Sequence, residues 1–238
     1  MMAPMDSVWT RTQPPPRDKV TRAQIVRAAV DLLDDEGLAG LTMRKLGGKL
    51  SVAATTLYWH VQTKDDLLEY AVDAVYAEID VPGPELAGWR GAATLLAHSM
   101  RSTIIRHPWL PAVINQRISV GPNAMALSSR GMAIFSAAGF TGRDPEKTLA
   151  ALISYVLGSA GSEVAWRTMV KASGKSAPEW TDEALAQALP AAEAFPDVRD
   201  VLEQRGRRNP YTMLDETFTF GLEALLDGFA ARLPGTWT

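Results

Sequence analysis

Cysteine is absent from the 238 residues, which excludes disulfides and thiolate metal sites and suits a cytoplasmic chain. Histidine occurs only at His60, His98 and His107. The residues three positions before them are Leu57, Leu95 and Ile104, so the Glu-x-x-His motif of di-iron helical proteins is missing. G-x-S-x-G and dinucleotide fingerprints are missing too. Gly174-Lys175-Ser176 has Met169 where a phosphate loop needs its first glycine. Neither an enzyme nor a metal or cofactor is expected. The N-terminus carries no apolar run resembling a secretion signal, and the longest apolar stretches are broken by Gly, Ser or charge, so no membrane partner is expected. No segment alternates as a strand does, and no repeat of fixed period is present.

What remains is a chain that can fold. Hydrophobic residues make up 47% and charged residues 21%, enough for a sizeable core. The net charge of −3 argues against a nucleic-acid partner until its distribution is read. Residues 1–64 hold nine Lys/Arg against six Asp/Glu, leaving 15 against 21 in residues 65–238. A positive head on a negative body fits a DNA reader with a separate sensing region; chance clustering is the bland alternative.

The spacing predicts helices throughout, and the fold class is all-α. Residues 1–20 form a flexible arm, because Pro14, Pro15 and Pro16 forbid helix. Arg11, Arg17 and Lys19 could track phosphates there, or the arm could be a solvated tail. Thr21 with Gln24 makes a capping box for a first helix, whose apolar face is Ile25, Ala28, Ala29, Leu32 and Leu33 and whose stop is Gly37. Thr42 caps a second helix with Met43, Leu46 and Leu50 inward. A third covers roughly 53–61, and Thr63 caps a fourth over 64–80. Further helices are expected near 86–106, 109–119, 123–138, 145–171, 191–205 and 210–232.

The most informative stretch is 41–61, two short helices joined by a tight turn, a unit that can lay its second helix in a DNA major groove. Arg44 offers a fork of donors for guanine or phosphate. Thr55 and Thr56 are short enough to let the helix approach base edges closely. Tyr58 and His60 suit phosphate oxygens, and Lys64 stands at the next helix N-terminus, where backbone N–H groups also favour phosphate. Tyr58 and Trp59 could instead be core aromatics, but two neighbours on a helix cannot both point inward. Leu57 and Val61 read as core.

These residues resemble the N-terminal domain of TetR-family transcriptional repressors. The block Leu57-Tyr58-Trp59-His60-Val61, followed by Lys64 and Leu67-Leu68, is similar to the tetracycline-repressor branch. The resemblance implies a helix-turn-helix domain over 21–66 and a helical ligand-binding and dimerisation domain over 67–238. It also implies that Arg44, Thr56, Tyr58, Trp59, His60 and Lys64 lie at or near DNA. Gly47 and Gly48 stand where that family usually has alanine, each costing about 0.8–1.0 kcal/mol of helix propensity. Ser51 stands where the turn commonly has glycine, which would strain a positive φ, and Ala54 where a polar residue is common.

A reading unit this small needs two copies on a two-fold operator. Two apolar stripes could pair the chains: Leu149, Leu152, Ile153 and Val156, and Phe218, Leu222, Leu225 and Phe229. The resemblance makes these helices an intersubunit bundle; periodicity alone equally allows an internal core. Between them an effector pocket is expected. Its candidate apolar lining is Met100, Ile104, Trp109, Val113, Met125, Met132, Phe135, Trp166 and Met169, and its candidate polar anchors are Gln116, Ser159 and Glu163. The function these features imply is a ligand-responsive regulator, a repressor by the commoner family role, that binds a palindromic operator as a homodimer and is released by an apolar or amphipathic effector. The alternatives are an activator of the same build, and a helical adaptor whose aromatic patch meets a protein.

Overall fold

A computed structural model describes residues 7, 9, 20–114, 119–206 and 208–233, and every regular element among them is a helix. The all-α expectation holds. Arg11, Pro14–Pro16, Arg17, Lys19 and Gln116 lie outside the described residues. The chain divides into two compact units, residues 1–153 and 154–238.

The first unit opens with α1 (Arg22–Gly40), α2 (Met43–Leu50), α3 (Ala54–Tyr58) and α4 (Lys64–Tyr76). Their starts follow from local chemistry. Thr21 and Gln24 form the reciprocal capping box, Thr42 accepts from Lys45 N at 3.2 Å, and Thr63 accepts from Asp66 N at 3.0 Å, each satisfying a helix N–H that has no intrahelical partner. Gly37 sits at φ 68° inside the last turns of α1, where a side chain would be strained. Ile25, Ala29, Leu33, Leu41, Leu46, Leu57, Val61 and Leu67 are all but fully buried. Each large member of this set contributes about 1.5–3 kcal/mol by leaving water.

After these come α5 (Pro84–Arg106), α6 (Leu110–Ile114), α7 (Pro122–Ala138) and the start of α8 (Asp144–Ser173). α5 packs against α7, and α4 packs against α1, α6 and α7. α4 is therefore shared by the opening helices and those that follow.

The second unit holds the rest of α8 with α9 (Ala177–Ala191), α10 (Pro196–Arg205) and α11 (Pro210–Ala230). Its buried residues include Val156, Ala160, Val164, Phe218, Leu222, Leu226 and Phe229. The Tyr155 hydroxyl donates to the Phe218 carbonyl at 2.6 Å, and the two rings lie 5.6 Å apart. α9 corrects the sequence reading, which leaves 179–190 without a helix. Its start is signalled by Ser176 and Glu179, a capping box like that of Thr21 and Gln24. α8 is long and apolar enough to cross a membrane by length and composition, where the sequence reading expects no such stretch. Core helices pass the same test, and Leu152, Val156 and Ala160 are fully buried along α8.

Candidate nucleic-acid interface

α2, the turn after it and α3 present the predicted surface. Leu46 and Leu57 are fully buried and Val61 nearly so, which fixes α3 from behind although five residues are too few for a stable helix alone. α3 is shorter than the expected 53–61. Arg44 and Thr55 are exposed and Thr56 is half-buried. Tyr58 is 50% exposed and Trp59 70%, so neither aromatic belongs to the core. His60 is half-buried, and its Nε2 is enclosed without a hydrogen-bond partner among the described residues. Lys64 is exposed, yet its Nζ donates to the Leu38 carbonyl at 3.0 Å, which leaves two N–H bonds for an outside acceptor.

The turn itself is tight. Ser51 closes α2 at φ 55°, ψ 38°, the only positive φ outside glycine among the described residues, as expected from a serine at a glycine position. Gly47 differs from the sequence reading. It is buried, and a Cβ there would lie 2.7 Å from the Val52 carbonyl oxygen. The glycine lets α2 close on the turn and does not simply loosen the head. Gly48 faces open space.

Behind this surface, α4 and α1 are held by carboxylates that the sequence reading passes over. The buried Asp73 accepts from Ala124 N at 3.0 Å and from Asn123 Nδ2 at 3.0 Å, so a residue of α4 caps α7. A Cβ on Gly121 would lie 2.1 Å from Asp73 Oδ1, and only glycine admits the carboxylate. One turn on, the Tyr76 hydroxyl meets Ser119 Oγ at 3.3 Å; burial pushes its pKa above the ordinary 10.0, while the Ser119 bond opposes the shift. At the end of α5 the buried His107 has Nδ1 2.8 Å from Asp34 Oδ1 of α1 and Nε2 3.1 Å from Glu78 Oε2. Trp109 Nε1 donates to the same Asp34 oxygen at 2.7 Å. Asp73 could have been noticed as an acid inside the apolar stripe of its helix.

The expected effector residues fall in both units. Met100, Ile104, Trp109, Val113 and Phe135 are buried and Met132 is half-buried in the first; α5 and α7, which carry four of them, pack together. In the second, Glu163 is buried and accepts from Arg167 Nη2 at 2.7 Å, while Ser159 and Trp166 are half-buried. Trp166 meets Trp180 and Tyr211 edge-on, with centroids 6.3 and 5.4 Å away. Met125 and Met169 are about half exposed, so they are surface residues and not part of an enclosed lining.

The residues of the pairing expectation differ in exposure. Leu149 and Leu152 of the first unit, and Val156, Phe218, Leu222 and Phe229 of the second, are buried within the single chain. Ile153 and Leu225 are half-buried. On the other side of α11, Phe220 is 77% exposed, with Thr217, Ala224 and Gly228 exposed around it.

Two short helices with an exposed second member, carried on a larger helical body, define a helix-turn-helix protein. Residues 25–71 match the model of the tetR family of bacterial regulatory proteins, and residues 81–233 match that of the tetracyclin repressor-like C-terminal domain. An HTH-type transcriptional regulator of Saccharopolyspora erythraea is 40% identical over 190 residues, covering 79% of this chain and 78% of the relative. The HTH-type transcriptional repressor DrrR1 of Streptomyces coeruleorubidus is 29% identical over 233 residues, covering 94% and 83%. The Streptomyces coelicolor TetR family protein ActR, solved in complex with actinorhodin, superposes with a TM-score of 0.73 at 26% identity, covering 93% of this chain and all of that one. The chain belongs to the TetR family and is a transcriptional regulator.

Proposed function

We propose that the protein binds a palindromic DNA operator as a homodimer, represses from it, and is released by an apolar or amphipathic small molecule. The observation that carries this reading is the outward set on α2 and α3: Arg44, Thr55, Tyr58 and Trp59 exposed above the buried Leu46 and Leu57. Large aromatics left in water need an external partner, and the residue types suit groove and phosphate. Thr56, His60 and the remaining N–H bonds of Lys64 complete the contact set. Residues 21–66 act as the reading head and 67–238 as the body, with 1–20 as an arm. The regulator works in the cytoplasm and performs no catalysis.

Pairing then falls to the exposed face of α11 around Phe220, Ala224 and Gly228, where small neighbours admit a close partner helix. The effector enters between α5 and α7, near Met100, Ile104, Met132 and Phe135. Because Asp73 and Tyr76 bind α4 to the start of α7, a ligand that displaces α7 displaces α4 and alters the separation of the two reading heads. This is coupling through differential affinity of two states.

Selection of bound sequences from random duplex DNA tests the reading. A palindrome should be enriched by the wild type and lost in Arg44→Ala, Tyr58→Ala, with affinity falling steeply as salt rises. Absence of any enriched sequence at low salt, with the protein folded, would transfer the exposed aromatics to a protein partner.

A further inference from the structure

His107 closes α5 and is buried, and each of its ring nitrogens faces a carboxylate from a different part of the chain. Nδ1 lies 2.8 Å from Asp34 Oδ1 on α1, and Nε2 lies 3.1 Å from Glu78 Oε2, just past the end of α4. An ionised carboxylate can only accept, so both contacts are hydrogen bonds only when both nitrogens carry hydrogen. That ring is the imidazolium. A neutral ring donates once and leaves a bare nitrogen against the other carboxylate. With its side chain 4% exposed, it cannot turn to water for the missing bond.

The two carboxylates are not equivalent. Asp34 is 29% exposed and also accepts from Trp109 Nε1 at 2.7 Å, which fixes its Oδ1 beside the ring. Glu78 is 41% exposed, and it meets Arg106 of α5 at 3.1 Å, a side chain itself 53% exposed. An ion pair so open to water contributes little. The shorter and better enclosed bond to Asp34 keeps the last ring proton, and deprotonation breaks the bond to Glu78. Asp80 N donates to Ser99 Oγ of α5 at 2.8 Å in either state, so the release is confined to the turn that ends α4.

The other charges in the cleft that His107 shares with α1 and α4 are committed or do not titrate. On α1, Asp31 is paired with Lys49, and Arg22 and Arg27 are guanidinium groups that hold their charge. On α4, Tyr70 lies under Arg22 and Asp73 caps the start of α7, which presents only the uncharged Pro122 and Asn123. Imidazole is the side chain that ordinarily changes charge between about pH 5 and 8.

We propose that His107 is a proton-operated clasp between α5 and the reading head. Protonated, it ties both α1 and the end of α4 to α5; neutral, it keeps Asp34 and lets go of Glu78. Acid therefore closes the joint described above, and base loosens the last turn of α4 while α1 stays fixed.

Long-range proton–nitrogen correlation spectra of the full-length protein, labelled at its three histidines, read the ring directly from about pH 5.5 to 8.5. His60→Gln and His98→Gln identify the His107 signals by elimination. Both His107 nitrogens should carry hydrogen at the acid end, and Nδ1 alone at the alkaline end. The amides of Ala77, Glu78 and Ile79 bond back to α4. Their exchange, corrected for its intrinsic pH dependence, should speed up about two- to tenfold across the titration, the effect of one hydrogen bond. Glu78→Gln, at a partly exposed position, should abolish that acceleration, because an amide donates to a bare Nε2 as well as it accepts from a protonated one. No DNA is present, so the outcome is separable from that of the operator reading. A ring that keeps one charge state throughout, an alkaline proton on Nε2, or exchange that follows the intrinsic dependence or accelerates equally in Glu78→Gln would overturn the proposal.

Discussion

The Asp73 carboxylate of α4 accepts the Ala124 backbone N–H of α7 at 3.0 Å, so one helix supplies the N-terminal cap of another 51 residues further along the chain. The Gly121 position of α7 has no cap of its own. Asp73→Ala should therefore cost about 1–2 kcal/mol in urea unfolding, with Asp73→Asn recovering part of it. Gly121→Ala should destabilise by about 1–3 kcal/mol, because its Cβ would have to displace the carboxylate. Unfolding curves superimposable on the wild type would show that the cap is not energetically important.

The turn of the reading head makes opposite demands at two nearby positions. Ser51 holds a left-handed conformation at φ 55°, which costs an L-residue about 1–2 kcal/mol, so Ser51→Gly should stabilise by roughly 0.5–1 kcal/mol. Gly47→Ala gains helix propensity but drives a Cβ to 2.7 Å from Val52 O; a net loss of about 1–3 kcal/mol is expected. Thermal midpoints of the two single variants decide both. A stabilised Gly47→Ala would mean that the turn can open at little cost.

Neighbouring aromatics of α11 should behave in opposite ways. Phe218 is fully buried, and Phe218→Ala should cost about 3–5 kcal/mol. Phe220→Lys, at a position 77% exposed, should leave the helical spectrum intact and shift sedimentation toward single chains. An undiminished dimer in that variant would take the pairing face away from Phe220.

Alkaline stability should depend on Tyr76. Its pKa in the folded chain lies above the ordinary 10.0 because the hydroxyl is buried. The group is thus neutral in both states below pH 10 and its contribution is complete there. As pH rises from the unfolded value through the folded one, unfolding releases a proton and stability falls. Tyr76→Phe should flatten this alkaline limb of the melting profile. A limb of unchanged slope would assign the loss to other groups.

The sequence discloses features whose partners are close along the chain. Thr21, Thr42 and Thr63 each bond an N–H three residues on, and the strain at Ser51 follows from its own residue type. That at least one of Tyr58 and Trp59 is exposed was legible, because neighbours on one helix cannot both point into a core; that both are exposed was not. Periodicity was less informative for the body. It found Leu152, Val156, Phe218 and Leu222 as apolar faces, but an apolar face does not say what covers it, and the chain covers these itself. Asp34 and Asp73 were missed for a related reason, since their partners lie 51 to 75 residues away. α9 was missed although Ser176 and Glu179 announce it.

Asp34 also sets a rule for exchange between relatives. Its carboxylate meets both His107 Nδ1 and Trp109 Nε1, and it sits on α1 while they follow α5. Reading heads of related regulators are therefore not interchangeable cassettes on this body. A grafted head that lacks an acid at position 34 would strand two buried donors behind it, and the hybrid would be impaired before it met any operator. A graft that keeps that acid retains the joint, whatever its recognition helix is built to read.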